Sequence, residues 1–190
     1  MLVDMSLPGI DVRPLRTMTG EYEFNEIFFD DVRVPVTSLL GTENAGWQVA
    51  MTTLNYERAG VLKLYLGLRR KVRDLADAAR AAGRLDDPQA RQAIARCAVE
   101  AEYLRLLAER SVQDQIDGRE VGPEGALGKL FWSNIEHHIA DASALVLGDD
   151  ANAGRWGFNR SYVPAVSIAG GTTQVNKNVI AQRVLGLPRE

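Results

Sequence analysis

Two places in the 190-residue sequence combine residue types and spacing that could do chemistry. The first is Gly170-Gly171-Thr172-Thr173, directly ahead of Val175, Val179, Ile180 and Val184, whose apolar spacing reads as a helix stopped by Gly186 and Pro188. Glycines let an anion approach exposed backbone amides, and hydroxyls with the positive end of a helix add donors, so the run reads as a phosphate cradle. The same residues also read as a Thr N-cap after a glycine turn, and taken by themselves they favour that simpler reading. The second is Glu57, which falls near the apolar stripe of a helix rather than on its solvated face. Burial there raises a carboxyl pKa toward neutrality, which a general base for a weakly acidic carbon needs. On spacing alone, Glu57 and Arg58 read more readily as surface charges.

Other chemistries find less support. His137 and His138 are adjacent on a helical stretch and so point roughly 100° apart, which prevents them from holding one metal ion together. They read as structural or exposed. No cysteine pair, spaced histidine motif or Gly-x-Ser-x-Gly elbow occurs. With 22 basic against 25 acidic residues, the net charge of -3 gives no electrostatic reason to expect nucleic acid, and any phosphate must be met by local donors. Cys97 has no second cysteine to pair with and lies in an apolar helical stretch, which points to a reduced, buried thiol in a reducing compartment. Met1 to Gly9 has neither a basic leader nor a long apolar core, and no stretch is uniformly apolar for long enough to cross a bilayer. The expectation is a cytoplasmic protein with no membrane partner.

The elements that must position these residues fall into two parts, residues 1–40 and 41–190. Tyr22 to Phe29 alternates apolar and polar residues before becoming apolar, the pattern of a half-buried strand ended by Asp30-Asp31. Met1 to Val3 and Val12 to Leu15 read as short strands around the turn Leu7-Pro8-Gly9. So few strands make no independent sheet, which predicts that something outside the chain completes them. From Gly46 the stripe Leu54, Val61, Tyr65, Leu68, Val72, Leu75 and Ala79 predicts one long helix ending at Gly83. Asp86-Asp87-Pro88 opens a second, with Ile94, Cys97, Ala101, Leu104, Ala108 and Val112 inward. Gly122-Pro123-Glu124 opens a third, with Leu127, Phe131, Ile135, Ile139, Ala142 and Val146 inward and Gly148 after its end. Asp149 to Val166, with Trp156, Phe158 and Tyr162 among Gly and Asn, reads as a packed loop. Three long helices and a short one make an all-α, four-helix up-and-down bundle the economical fold, preceded by a short β remnant.

Two stretches add a family resemblance. Phe28-Phe29-Asp30-Asp31-Val32-Arg33-Val34-Pro35, with Leu40-Gly41, Gly46-Trp47 and Leu54-Asn55-Tyr56-Glu57-Arg58, resembles the junction between the middle β domain and the C-terminal helical domain of acyl-CoA dehydrogenases. Ile168 to Ala181, followed by Arg183-Val184-Leu185-Gly186-Leu187-Pro188-Arg189, resembles that family's C-terminal flavin segment. Together they cover essentially the whole chain but only the C-terminal part of the family's architecture, so the resemblance implies a fragment or one piece of a split protein.

In that family a glutamate removes the α-proton of an acyl-CoA thioester while the β-hydrogen passes as hydride to FAD, leaving a trans-2-enoyl-CoA. Many members place the glutamate where this chain has Gly170; a subset places it on the first long helix, at the position matched by Glu57. The resemblance therefore implies Glu57 as base, with a non-catalytic bundle subunit serving assembly as the alternative. It implies substrate contacts for Asn55, Tyr56, Arg58 and Gly170, and FAD contacts for Gly171, Thr172, Thr173 and Gln174. It also implies an acyl-CoA substrate, an electron-transfer acceptor and a homo- or hetero-oligomer, with a partner subunit able to carry the missing N-terminal domains. One motif departs from the family. Its usual Arg-x-x-Phe-Gly, which reaches a neighbouring subunit's FAD, is replaced by Arg84-Leu85-Asp86-Asp87-Pro88. The variant resembles bacterial members that act on sterol side chains or other bulky CoA thioesters and often assemble from two different subunits.

Overall fold

The computed structural model describes residues 1–57, 61–119, 123 and 125–189, without the side chains of residues 55–57 and 61–63. The chain divides into two compact units, Met1–Tyr56 and Glu57–Glu190.

In the first unit, β1 (Ile10–Leu15) and β2 (Phe24–Phe29) form an antiparallel hairpin in which Ile10 faces Phe29 and Leu15 faces Phe24. Gly9 enters β1 with φ 90°, and a Cβ there would collide with the carbonyl oxygen of Asp30. Only glycine lets the two strand ends close, through the bond from the Asp30 amide to the Gly9 carbonyl at 2.9 Å. The half-burial expected of β2 is not realised within the chain: all six of its residues are exposed, because a two-stranded ribbon has no layer to pack on. Met1 to Val3 forms no strand; the Leu2 amide instead donates to the Ser38 carbonyl at 2.8 Å. A 3₁₀ turn at Val36–Ser38 leads toward α1 (Gly46–Glu57).

The second unit is helical: α2 (Val61–Ala81), α3 (Pro88–Ile116), α4 (Gly125–Leu147), α5 (Gly154–Val166) and α6 (Thr173–Val179). Whether α1 and α2 form the single long helix that the apolar stripe predicts lies outside the described residues, at 58–60. Beyond that point the expected stripes hold as far as Ala108; Val112, expected inward one turn from the end of α3, is instead 41% exposed, because the last turns of that helix have run past the core. Helix α2 buries Tyr65, Leu68, Val72, Leu75 and Ala79, and α3 buries Ile94, Cys97, Ala101, Leu104 and Ala108. Asp87 caps α3 by accepting from the Gln89 amide at 2.9 Å, with Pro88 at the first helical position.

Helix α4 is the hub, packing against α2, α3, α5 and α6. Its buried residues exceed the expected stripe. Beside Ile135, Ile139, Ala142 and Val146 run Lys129, Ser133, Glu136, Ala140 and Ser143, a second inward face at steps of four and three.

The segment expected to be a packed loop is largely helix α5. Asn159, Val163 and Val166 recur at steps of four and three and are buried. Glycine and proline mask this in the sequence, and Gly157 has a packing reason. A Cβ there would strike the Asn152 carbonyl, so its place in the helix requires the smallest residue. Phe158 and Tyr162 stack one turn apart, with ring centroids 5.8 Å apart. The final helix is α6 continued by a π turn over Ile180–Val184. The result is a helical bundle preceded by a two-stranded β remnant.

Candidate functional site

The turn between α5 and α6 is built from backbone geometry. The amides of Ile168 and Ala169 both return to the Ala165 carbonyl, at 3.0 and 2.9 Å, and close the end of α5. The chain then passes through two left-handed residues, Gly170 with φ 65° and Gly171 with φ 92°. Left-handed backbone is costly for residues with a Cβ, so the pair of glycines is what allows the reversal. The Thr173 amide returns to the Ser167 carbonyl at 3.1 Å and ties the two ends of the turn together.

Thr172 is an N-cap: its Oγ1 accepts from the Val175 amide at 3.2 Å. The simpler of the two sequence readings is thus realised. It leaves the other open, because one cap bond satisfies one donor. Among the described residues, the amides of Gly170, Gly171, Thr172 and Gln174 reach no backbone acceptor. Asn176, buried at 2 % exposure, donates through Nδ2 to the carbonyls of Gly171 at 2.8 Å and Thr172 at 3.0 Å. Those two acceptors are held inward, while Gly170, Gly171 and Gln174 stay exposed and Thr172 and Thr173 half-buried.

Beneath the turn lies a residue outside the apolar stripe expected of α4. Lys129 of α4 is buried, and its Nζ donates to the carbonyl of Val166, the last residue of α5, at 2.8 Å. Burial holds its ammonium below the ordinary lysine pKa. The second inward face of α4 was the available signal, since Lys129 stands four residues before Ser133 and seven before Glu136. A ring nitrogen of His137 lies 2.7 Å from Ser167 Oγ, on the next residue of the same junction. His138 instead reaches Glu100 through Nδ1 at 2.7 Å, so the adjacent histidines serve different elements. No group of His, Cys, Asp or Glu among the described residues is arranged to hold a metal ion, and no described helix is long and apolar enough to cross a membrane.

The structure brings Gly170, Gly171, Thr172, Thr173 and Gln174 together in this one turn. Asn55, Tyr56 and Glu57 form the last residues of α1, and their side chains lie outside the described residues. Arg58 lies wholly outside them. Arg84, in the departing motif, pairs with Asp87 at 2.8 Å and approaches the Leu145 carbonyl at 3.5 Å.

The family profile described as "Acyl-CoA dehydrogenase, C-terminal domain" matches residues 44–185. This chain belongs to the acyl-CoA dehydrogenase family. The acyl-CoA dehydrogenase IpdE1 of Mycobacterium tuberculosis is 33% identical over 199 residues, covering 100% of this chain and 51% of the relative. The acyl-CoA dehydrogenase FadE34 of the same organism is 33% identical over 190 residues, covering 99% of this chain and 26% of the relative. The chain thus spans about half the length of the first of these relatives and about a quarter of the second. Among solved structures, the ChsE4-ChsE5 complex from Mycobacterium tuberculosis superposes with a TM-score of 0.81 at 26% identity, over 99% of this chain and 52% of that one. The steroid ACAD Tcur3481-Tcur3483 superposes with a TM-score of 0.89 at 24% identity, over 99% and 51%, and shows the shared fold. The all-α bundle with a short β remnant is therefore an acyl-CoA dehydrogenase C-terminal fold.

Proposed function

We propose that this chain is the C-terminal part of a flavin-dependent acyl-CoA dehydrogenase that converts an acyl-CoA thioester to its trans-2-enoyl-CoA, with Glu57 as the general base. The observation that carries the choice of base is the residue at position 170. Where the family resemblance places the glutamate of many members this chain has Gly170, which has no side chain to take a proton, so the base comes from another element. Glu57, at the end of α1, is the residue that the family resemblance offers.

The turn suits a flavin nucleotide's phosphate and AMP end. The amides of Gly170, Gly171 and Gln174, which belong to exposed residues and reach no backbone acceptor among the described residues, form with the hydroxyls of Thr172 and Thr173 a neutral donor set suited to phosphate oxygens. Bound FAD supplies the acceptor for the β-hydride. Glu57 takes the α-proton, and Asn55, Tyr56 and Arg58 orient the thioester so that this proton faces the carboxylate. Gly170 leaves room for the acyl chain.

Support for a bulky thioester comes from the Arg84 to Pro88 variant, which resembles bacterial members acting on such thioesters. Assembly into a homo- or hetero-oligomer, electron transfer to a separate acceptor and a cytoplasmic setting complete the reading. The last rests on a single buried thiol. In the assembled enzyme, Glu57→Gln should lower turnover by roughly 100- to 10,000-fold while flavin stays bound. Near-normal turnover would instead favour a non-catalytic bundle subunit.

A further inference from the structure

We propose that Lys129 is the positioning residue of the Gly170–Thr173 turn, the group through which α4 sets where the turn's donors stand. The inference rests on reading that turn as the FAD phosphate contact. Lys129 is 8 % exposed, yet among the described residues its ammonium meets no carboxylate. Its one hydrogen bond there goes to the Val166 carbonyl at 2.8 Å. Burying an ammonium against a single neutral acceptor is costly, and an apolar side chain would fill the same space without that cost. What the charge adds is direction.

The last carbonyls of a helix are orphan acceptors at its negative end, so a cation fixed on Val166 fixes the exit of α5. The lysine stem also runs beside the turn: a Cβ on Gly170 would sit 3.8 Å from both Cγ and Cε of Lys129. His137 fixes the next residue through Ser167 Oγ at 2.7 Å, and Asn176 holds the far side through the carbonyls of Gly171 and Thr172. The free amides lie between these anchors. Because α5 ends at Val166, four residues before Gly170, loss of the ammonium removes one of the near end's anchors and leaves it held through Ser167, while the far end keeps both bonds of Asn176. A donor set that must be reordered on binding gives up affinity.

The test uses the assembled dehydrogenase, this chain together with the N-terminal region. FAD dissociation is read by flavin fluorescence, and the unfolding midpoint of each apo form is recorded alongside. Lys129→Met should weaken FAD by roughly tenfold or more with the apo midpoint held or raised, whereas Lys129→Arg, which keeps a cationic donor, should stay within about threefold of wild type. The double variant Thr173→Val, Gln174→Ala removes two turn side chains and should also weaken FAD. Wild-type affinity in Lys129→Met alongside a weakened double variant overturns the role of Lys129 and leaves the site reading standing. Wild-type affinity in the double variant overturns both. A loss in Lys129→Met that tracks a lowered apo midpoint and is not restored by Lys129→Arg is a packing effect and overturns the proposal. Should Lys129→Met not fold, Lys129→Gln is read by the same criteria.

Discussion

Lys71 Nζ on α2 lies 2.8 and 2.6 Å from the two carboxylate oxygens of Glu136 on α4, and it spends its third donor on Asn159 Oδ1 of α5 at 2.7 Å. One ammonium thus ties three helices at a point where Glu136 is buried, with a side-chain exposure of 7%. Such a pair contributes little net stability compared with an apolar replacement, but removing one partner strands a buried charge. We expect Lys71→Met to destabilise the protein by roughly 2 to 4 kcal/mol. Adding Glu136→Leu should recover much of that loss. Chemical denaturation of the two variants checks this, and equal midpoints for wild type and Lys71→Met would show that Glu136 is not held as a charge.

Cys97 gives a second prediction. Its side chain is 1% exposed on the inward face of α3, and burial pushes the thiol up from 9.0 to about 12. A thiol of that kind is nearly all protonated at pH 8 and out of reach, so a disulfide-exchange reagent should label no cysteine in the folded protein and one in urea. The fold keeps the proton to higher pH than the unfolded chain does, so the unfolded state binds fewer protons between pH 9.0 and about 12. Stability contributed by Cys97 should therefore be intact below that window and fall as pH rises through it. Cys97→Ala should flatten this part of the profile.

These buried groups also mark what could be read from the sequence. The cores of α2 and α3 were legible because each repeats apolar residues at steps of three and four between strong punctuation, such as Asp87-Pro88 and Gly83. Helix α5 was not, because Gly154, Gly157 and Pro164 carry turn chemistry that long-range packing overrides; the constraint on Gly157 is the Asn152 carbonyl, which is visible only in three dimensions. In the site, the turn was legible as glycines followed by a cap. Lys129 was passed over because its partner is a backbone carbonyl 37 residues away, and carbonyls leave no residue-type signature. Half-burial of β2 failed for the opposite reason: alternation states which face a strand would bury and is silent on whether this chain supplies the cover.

Assembly is open to direct measurement. Val99, Tyr103, Leu106 and Ile116 of α3 are 51, 52, 52 and 73% exposed, an unusual run of large apolar groups for a helix surface left in water. We expect sedimentation to report a dimer or larger species. Substituting Tyr103→Glu and Leu106→Glu together should shift it toward monomer with little loss of helicity. A monomer at micromolar concentration in the unsubstituted protein would refute the expectation.

The two glycines of the turn allow a graded last prediction, because they differ in what a methyl group would meet. At Gly170 a Cβ would touch only the lysine stem, at 3.8 Å, and the main cost of Gly170→Ala is the left-handed backbone, roughly 1 to 2 kcal/mol. At Gly171 the backbone is further from any conformation favoured by alanine, with φ 92°, and the Cβ would lie 3.3 Å from Asn176 Nδ2. That nitrogen donates to both Gly171 and Thr172 carbonyls, so pushing it aside loosens the anchor of the donor set as well as straining the chain. In the assembled enzyme Gly171→Ala should therefore weaken FAD by roughly tenfold or more, and Gly170→Ala by clearly less. The stability costs should follow the same order, and Asn176→Ala should reproduce the flavin defect of Gly171→Ala without its backbone strain. Equal FAD affinity across the three variants would mean that the turn's conformation does not govern flavin binding.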